Sequence, residues 1–156
     1  VLVFTLLMVF KLLSIVSVQE RKIVSLAQGL DLLPITQELT NEVGGFPEGS
    51  EAEEAPTFYS LSPALADLGM ALSARGPVAY IETDYWGDGG EQASIVWKEG
   101  EVYREPERSR YIGPINGALL YLDVEQGLHT DRFEAIGLHR FRSNDDWIKQ
   151  GEPSPQ

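Results

Sequence analysis

Hydrophobic and polar positions change their spacing along the chain, and the changes mark out the elements. Lys22 to Leu33 is rich in Ile, Val and Leu with Gly29 as a break, and it predicts an extended segment. Thr36 can cap a short helix with Leu39 and Val43 on one face and Gly44 at its end. Ser62 to Gly76 carries the clearest helical signal: a serine cap, Pro63 at the first helical position, Leu65, Leu68 and Leu72 at helical spacing, and a Gly76-Pro77 stop. Val78 to Trp86 reads as a strand and Gln92 to Trp97 as its antiparallel return, joined through Gly87, Asp88, Gly89 and Gly90. Glu99-Gly100 then turns the chain into Val102 and Tyr103, giving a three-stranded meander. Pro114 to Leu122 is a helix with Ile115, Leu119 and Leu122 inward, and Thr130 is expected to cap a short turn bearing Phe133 and Ile136. Ser143 with Asp146 resembles a capping box for a last turn bearing Trp147 and Ile148.

Hairpin-linked strands with helices before and after predict an α+β class: a single domain with a small antiparallel sheet packed against helices on one face. The domain spans residues 22–149, with an acidic loop at 44–56 holding Glu48, Glu51, Glu53 and Glu54, and residues 150–156 form a tail expected to be disordered.

The first 21 residues are set apart. Val1 to Val18 is apolar except for Thr5, Lys11, Ser14 and Ser17. A spanning helix wants about 20 apolar residues, and a lysine near its centre is costly. No basic residue precedes the run and no A-x-A-like site follows it, as a signal peptide would require. The segment is read as a buried strand or helix, or as an extension ahead of a start at Met8, with a membrane anchor as the alternative. The corresponding localisation is cytoplasmic, or membrane-anchored through residues 1–18.

Charge narrows the partners. Twelve Lys and Arg stand against 24 Asp and Glu, a net charge of −12. Residues 1–22 hold three of the bases and one of the acids, so the remainder carries 9 bases against 23 acids. Phosphate binding needs a basic surplus, so nucleic acid is not an expected partner, and a basic protein is the natural complement. The absence of cysteine removes disulfides, thiolate metal sites and cysteine nucleophiles, and two histidines leave little for a histidine metal site. No cofactor and no metal site is predicted.

The most site-like stretch runs from Tyr80 to Gln92. As a strand, it places Tyr80, Glu82, Asp84 and Trp86 on one face and Ile81, Thr83 and Tyr85 on the other. Two carboxylates between two aromatics could serve acid–base or hard-cation chemistry, yet the spacing fits neither an EF-hand loop nor a G-x-G-x-x-G fingerprint. The face could equally be solvated, with Ile81, Thr83 and Tyr85 packed on helices. The partner-binding residues predicted here are Glu82, Asp84, Tyr85, Trp86, Asp88 and Glu91, with no catalytic residue assigned. Leu138-His139-Arg140-Phe141-Arg142 could place His139 between two arginines, an arrangement that suits contact with an anion. With Arg104, Arg108 and Arg110, these arginines are expected to neutralise neighbouring carboxylates. No serine sits in a G-x-S-x-G elbow.

Pro77 to Gly87, continued through Glu91-Gln92-Ala93 and Val96-Trp97, Ile115-Asn116 with Ala118-Leu119, Phe133 to Leu138 and Asp146-Trp147, resembles small acidic bacterial proteins without assigned activity. In size and charge the chain is also similar to immunity proteins that neutralise secreted toxins. That likeness implies a non-catalytic, immunity-like inhibitor using an acidic face against a basic partner protein. The alternative is a small enzyme or divalent-cation-binding protein centred on Glu82 and Asp84.

Overall fold

A computed structural model describes residues 24–44, 57–86, 89–110, 113–141 and 143–151. The apolar N-terminal run, most of the acidic loop, Asp88 and the tail after Gly151 lie outside these residues.

The order of elements is β1 (Val24–Ser25), a 3-10 turn (Ala27–Gly29), β2 (Asp31–Leu32), α1 (Gln37–Val43), α2 (Pro63–Leu72) continued by a 3-10 turn (Ser73–Arg75), β3 (Val78–Trp86), β4 (Gly89–Lys98), β5 (Glu101–Ser109), α3 (Pro114–Tyr121), α4 (Arg132–Ala135), a 3-10 turn (Leu138–Arg140) and α5 (Asn144–Gly151). Strands β1 and β2 form a small antiparallel pair, and β3, β4 and β5 form the antiparallel meander in that spatial order. The chain is thus α+β, with helices packed on the sheet.

Local chemistry sets the ends. Thr36 and Ser62 each accept a hydrogen bond from the amide three residues on, Leu39 and Leu65, satisfying donors that a helix start leaves open. Gly44 closes α1 at φ 120°, a conformation that favours glycine. Between β4 and β5, Glu99 and Gly100 have φ 56° and 82°, and Lys98 pairs with Glu101. Two positive φ values suit a two-residue hairpin turn whose twist matches the strands. Strand β5 continues to Ser109, well beyond Tyr103, carrying Pro106 within it. An edge strand tolerates proline because its outer N–H groups need no partner strand.

Packing reaches both faces of β4, where Ala93 to Trp97 are all buried. On the Trp97 side lies α2: a Cβ on Gly69 would come within 2.5 Å of the indole ring, so only glycine permits this approach. On the Ser94 side lies α3, whose first turn receives a 2.7 Å hydrogen bond from the Ser94 hydroxyl to the Pro114 carbonyl. A continuous buried run without alternation is what a strand covered on two faces requires. The main core cluster lies on this second side and joins Ile115, Leu119, Val124, Ile136, Leu138 and Trp147, with Ile81 of β3 packed against it.

Two connections hold the layers together. Ser73 after α2 accepts from the amides of Glu99 and Gly100, through its carbonyl and its hydroxyl, tying the helix end to the β4–β5 turn. Helix α4, a single turn, borrows its stability from α3: the Asn116 side-chain oxygen Oδ1 accepts from the Arg132 and Phe133 amides at 2.9 and 3.1 Å. Its cap is Asp131, which accepts from the Glu134 amide, instead of Thr130. Thr130 stands one residue too early, and its amide donates to the Glu134 carboxylate. At α5 the Ser143 hydroxyl caps the helix as the sequence predicts by accepting from the Asp146 amide, but the Asp146 carboxylate accepts from that hydroxyl, where a capping box would have it accept from the Ser143 amide.

Candidate functional site: a neutralised carboxylate cluster and an exposed tyrosine pair

Antiparallel register brings the acids of β3 and β4 together. Glu82 pairs with Ala93 and Asp84 with Glu91, while Ala93 also pairs with Arg108 of β5. Glu82, Glu91 and Arg108 therefore share one face. Left alone, the directly opposed Asp84 and Glu91 would destabilise the sheet. Arg108 answers this by donating to Glu91 at 2.7 Å and to Glu82 at 3.2 Å, and Arg110 adds a 3.2 Å contact to Glu91. The side chains of Glu82, Glu91 and Arg108 are only about 15% exposed, at 14%, 14% and 15%.

The same groups fasten the chain segment that precedes α2. Glu82 accepts from the Tyr59 and Ser60 amides and from the Tyr80 hydroxyl, at 2.9, 2.7 and 2.9 Å. With Arg108, four donors address its two oxygens, so no open direction remains for a cation or a substrate proton. Arg108 also donates to the Thr57 carbonyl and stacks 4.1 Å from the centroid of the Tyr59 ring. Phe58 meets Tyr80 edge to face at 5.5 Å. Hydrogen bonds from Arg108 and then Arg110 hold the Glu91 carboxyl below its ordinary range. Burial, followed by the neighbouring Glu82 charge, pushes the Tyr80 hydroxyl well above its ordinary value.

Of the residues predicted to bind a partner, Glu82 and Glu91 are brought together and committed to arginines. Asp84 is exposed on the same strand face. Tyr85 and Trp86 lie at the end of β3, with side chains outside the described set, as Asp88 is altogether. Among the described residues, no three His, Asp or Glu side chains converge as a metal group would require.

A second surface lies across the sheet. The register shift around Val96 lets Tyr103 and Arg104, neighbours on β5, both reach α3. Tyr103 packs edge to face on Tyr121 with 5.5 Å between centroids, and Arg104 sits 6.0 Å above the Tyr121 ring. Lys98 lies 5.0 Å over Tyr103. Both tyrosines remain open to solvent, 53% and 43% exposed, and Leu120 beside Tyr121 is 52% exposed. Residues 98–107 combine these aromatics with Glu99, Glu101, Glu105 and Glu107 against Lys98 and Arg104. Arg104 is anchored underneath, donating to the Ser94 hydroxyl and the Pro114 carbonyl and pairing with Glu107. The sequence pattern held a signal for this surface: if Ile115, Leu119 and Leu122 face inward, Tyr121 must face out.

Comparison of the chain with protein-family models, curated proteins and solved structures gives no match to any of them.

Proposed function

We propose that this protein is a non-catalytic binding domain that meets a basic partner protein, in the manner of an immunity-like inhibitor. The Tyr103–Tyr121 pair carries the reading: two half-exposed aromatic rings held rigidly against each other on a surface rich in carboxylates. Tyrosines at interface centres supply large contact area at little entropic cost, and charge around them speeds encounter and sets specificity. Glu82 and Glu91 contribute differently, stiffening the platform instead of meeting a partner, because Arg108 already occupies them. Asp84, exposed, stays available as part of an acidic face.

The test is capture from the native cell with the wild-type chain and with the double variant Tyr103→Ala/Tyr121→Ala. A basic protein retained by the wild type, released by salt and lost by the variant supports the reading. Equal capture by both chains, or a partner whose association ignores salt, refutes it.

A further inference from the structure

The two edges of the meander differ. Strand β5 carries Pro106 and register shifts against β4, features that turn an edge away from further pairing. Strand β3 keeps one register with β4 from Val78 to Trp86, and its outer side has no strand partner among the described residues. That side opens on a cleft of about 1050 Å³ lined by every residue from Arg75 to Asp84. Because consecutive strand residues point to opposite faces, a cleft touching all of them runs along the strand's edge, where main-chain donors and acceptors stand. Its walls are apolar on both faces: Leu68 and Leu72 of α2 on one, Leu119 and Ile136 of the core cluster on the other. A segment seated there needs main-chain hydrogen bonds together with apolar side chains at successive positions.

Charge gives the direction. Arg75 lines the cleft just ahead of β3 and is exposed. Every other described lysine or arginine is engaged by a carboxylate, a carbonyl or an aromatic ring, whereas Arg75 has no such partner among the described residues. At the far end of the cleft Asp84 is exposed and touches no arginine, while Glu82 and Glu91 are already answered by Arg108. At the rise of a strand, about 20 Å separates Val78 from Asp84. A strand added antiparallel to β3, as β4 is, ends beside Val78 and brings a terminal carboxylate to Arg75. A parallel strand would set that carboxylate against Asp84, like charge on like.

We propose that the edge of β3 receives the C-terminal segment of a partner protein as an added antiparallel strand. Its free carboxylate pairs with Arg75, its apolar side chains fill both walls, and a basic residue about seven positions from the end faces Asp84. This seat lies at the opposite edge of the sheet from the Tyr103–Tyr121 surface and does not depend on it.

The test uses the full chain and a library of random peptides displayed with free C-termini. Selected peptides should end in a run of apolar residues with Lys or Arg about seven positions from the end. Amidating the terminus of a selected peptide, or Arg75→Gln in the protein, should weaken binding at least about tenfold, the worth of one charge-assisted contact. Arg75 is exposed, so the unfolding midpoint of the variant should not move. Asp84→Lys should turn the basic preference acidic, and N-methylation at alternate peptide residues should abolish binding in one phase only, that of the amides facing β3. No enrichment, or equal binding by amidated and free termini, overturns the proposal. Tighter binding of dodecanoate than of any selected peptide also overturns it, since Arg75 and the walls would then serve without the strand edge. So does a dimer of the free chain that Ala79→Pro dissociates, because a second copy would hold the edge.

Discussion

Two aromatic and charged clusters flank the same sheet, and they differ in what their charges face. Around Arg108, two carboxylates, a carbonyl and a tyrosine ring are turned toward one guanidinium, two backbone amides donate to one of those carboxylates, and every charge is answered from within the chain. Around Tyr103 and Tyr121, the arginine is anchored below and the rings are left in solvent. The first arrangement stabilises the molecule, and the second leaves surface for another. Acid content alone does not separate them, because the acids of the first are consumed by a strand neighbour that only the register supplies.

The largest effect should come from the hub. Arg108→Met leaves Glu82 without its arginine and Glu91 with Arg110 alone, and removes the bond to the Thr57 carbonyl and the stack on Tyr59, and we expect a loss of about 3 kcal/mol in denaturant unfolding. A loss under about 0.5 kcal/mol would make the cluster an ordinary surface feature.

Two glycines sharpen the contrast between rigid and yielding neighbours. Gly69→Ala drives a methyl into the Trp97 ring and should cost about 1–3 kcal/mol, because the indole is packed on all sides. Gly117→Ala meets the end of the Arg104 side chain at 2.6 Å, which can move by giving up its bonds to Ser94 and Pro114 without displacing a packed ring, so thermal melting should register a smaller change. Equal costs would show that Arg104 is held as firmly as the core.

Tyr103→Ala/Tyr121→Ala should change stability by no more than about 1 kcal/mol, the worth of one edge-to-face pair, while weakening a captured partner at least about tenfold. A partner bound with unchanged affinity would move the interface elsewhere, and Asp84→Asn, which touches no arginine contact, would then be the informative change.

The smallest effects concern pH. Glu91 has a folded pKa below its ordinary 4.5, so its contribution is complete above that value and is lost as pH falls through the lower, folded pKa. Tyr80 works in the opposite direction. Its raised pKa means stability is complete below about 10 and declines above it, as the unfolded chain ionises first. Arg108→Met should shrink the acid limb and Tyr80→Phe should remove the tyrosine part of the alkaline limb, both read from unfolding titrations.

Much of the fold was legible because its signals are local. Thr36, Ser62 and Ser143 declare their caps by side-chain chemistry within three residues, and Glu99-Gly100 declares a turn that needs positive φ. The unalternating Ala-Ser-Ile-Val-Trp run of β4 already carried the sign that the packing extends to a second face. The carboxylate cluster was legible only in part. Strand period placed Glu82 and Asp84 on one face, but the identity of their neighbour depends on a β5 that extends through Pro106 to Arg108, where proline had masked the strand. The tyrosine pair depends on a register shift, a long-range property that no window of sequence contains.

The clamp of Asn116 on α4 has a consequence for how the molecule opens. A four-residue helix has no interior turn to protect its own amides, so the Arg132 and Phe133 N–H groups are shielded only while α3 presents that side-chain oxygen. Their exchange with deuterated water must therefore follow the opening of α3 and not a fraying of α4 by itself. The two helices make up one cooperative unit although ten residues of turn and loop lie between Tyr121 and Arg132.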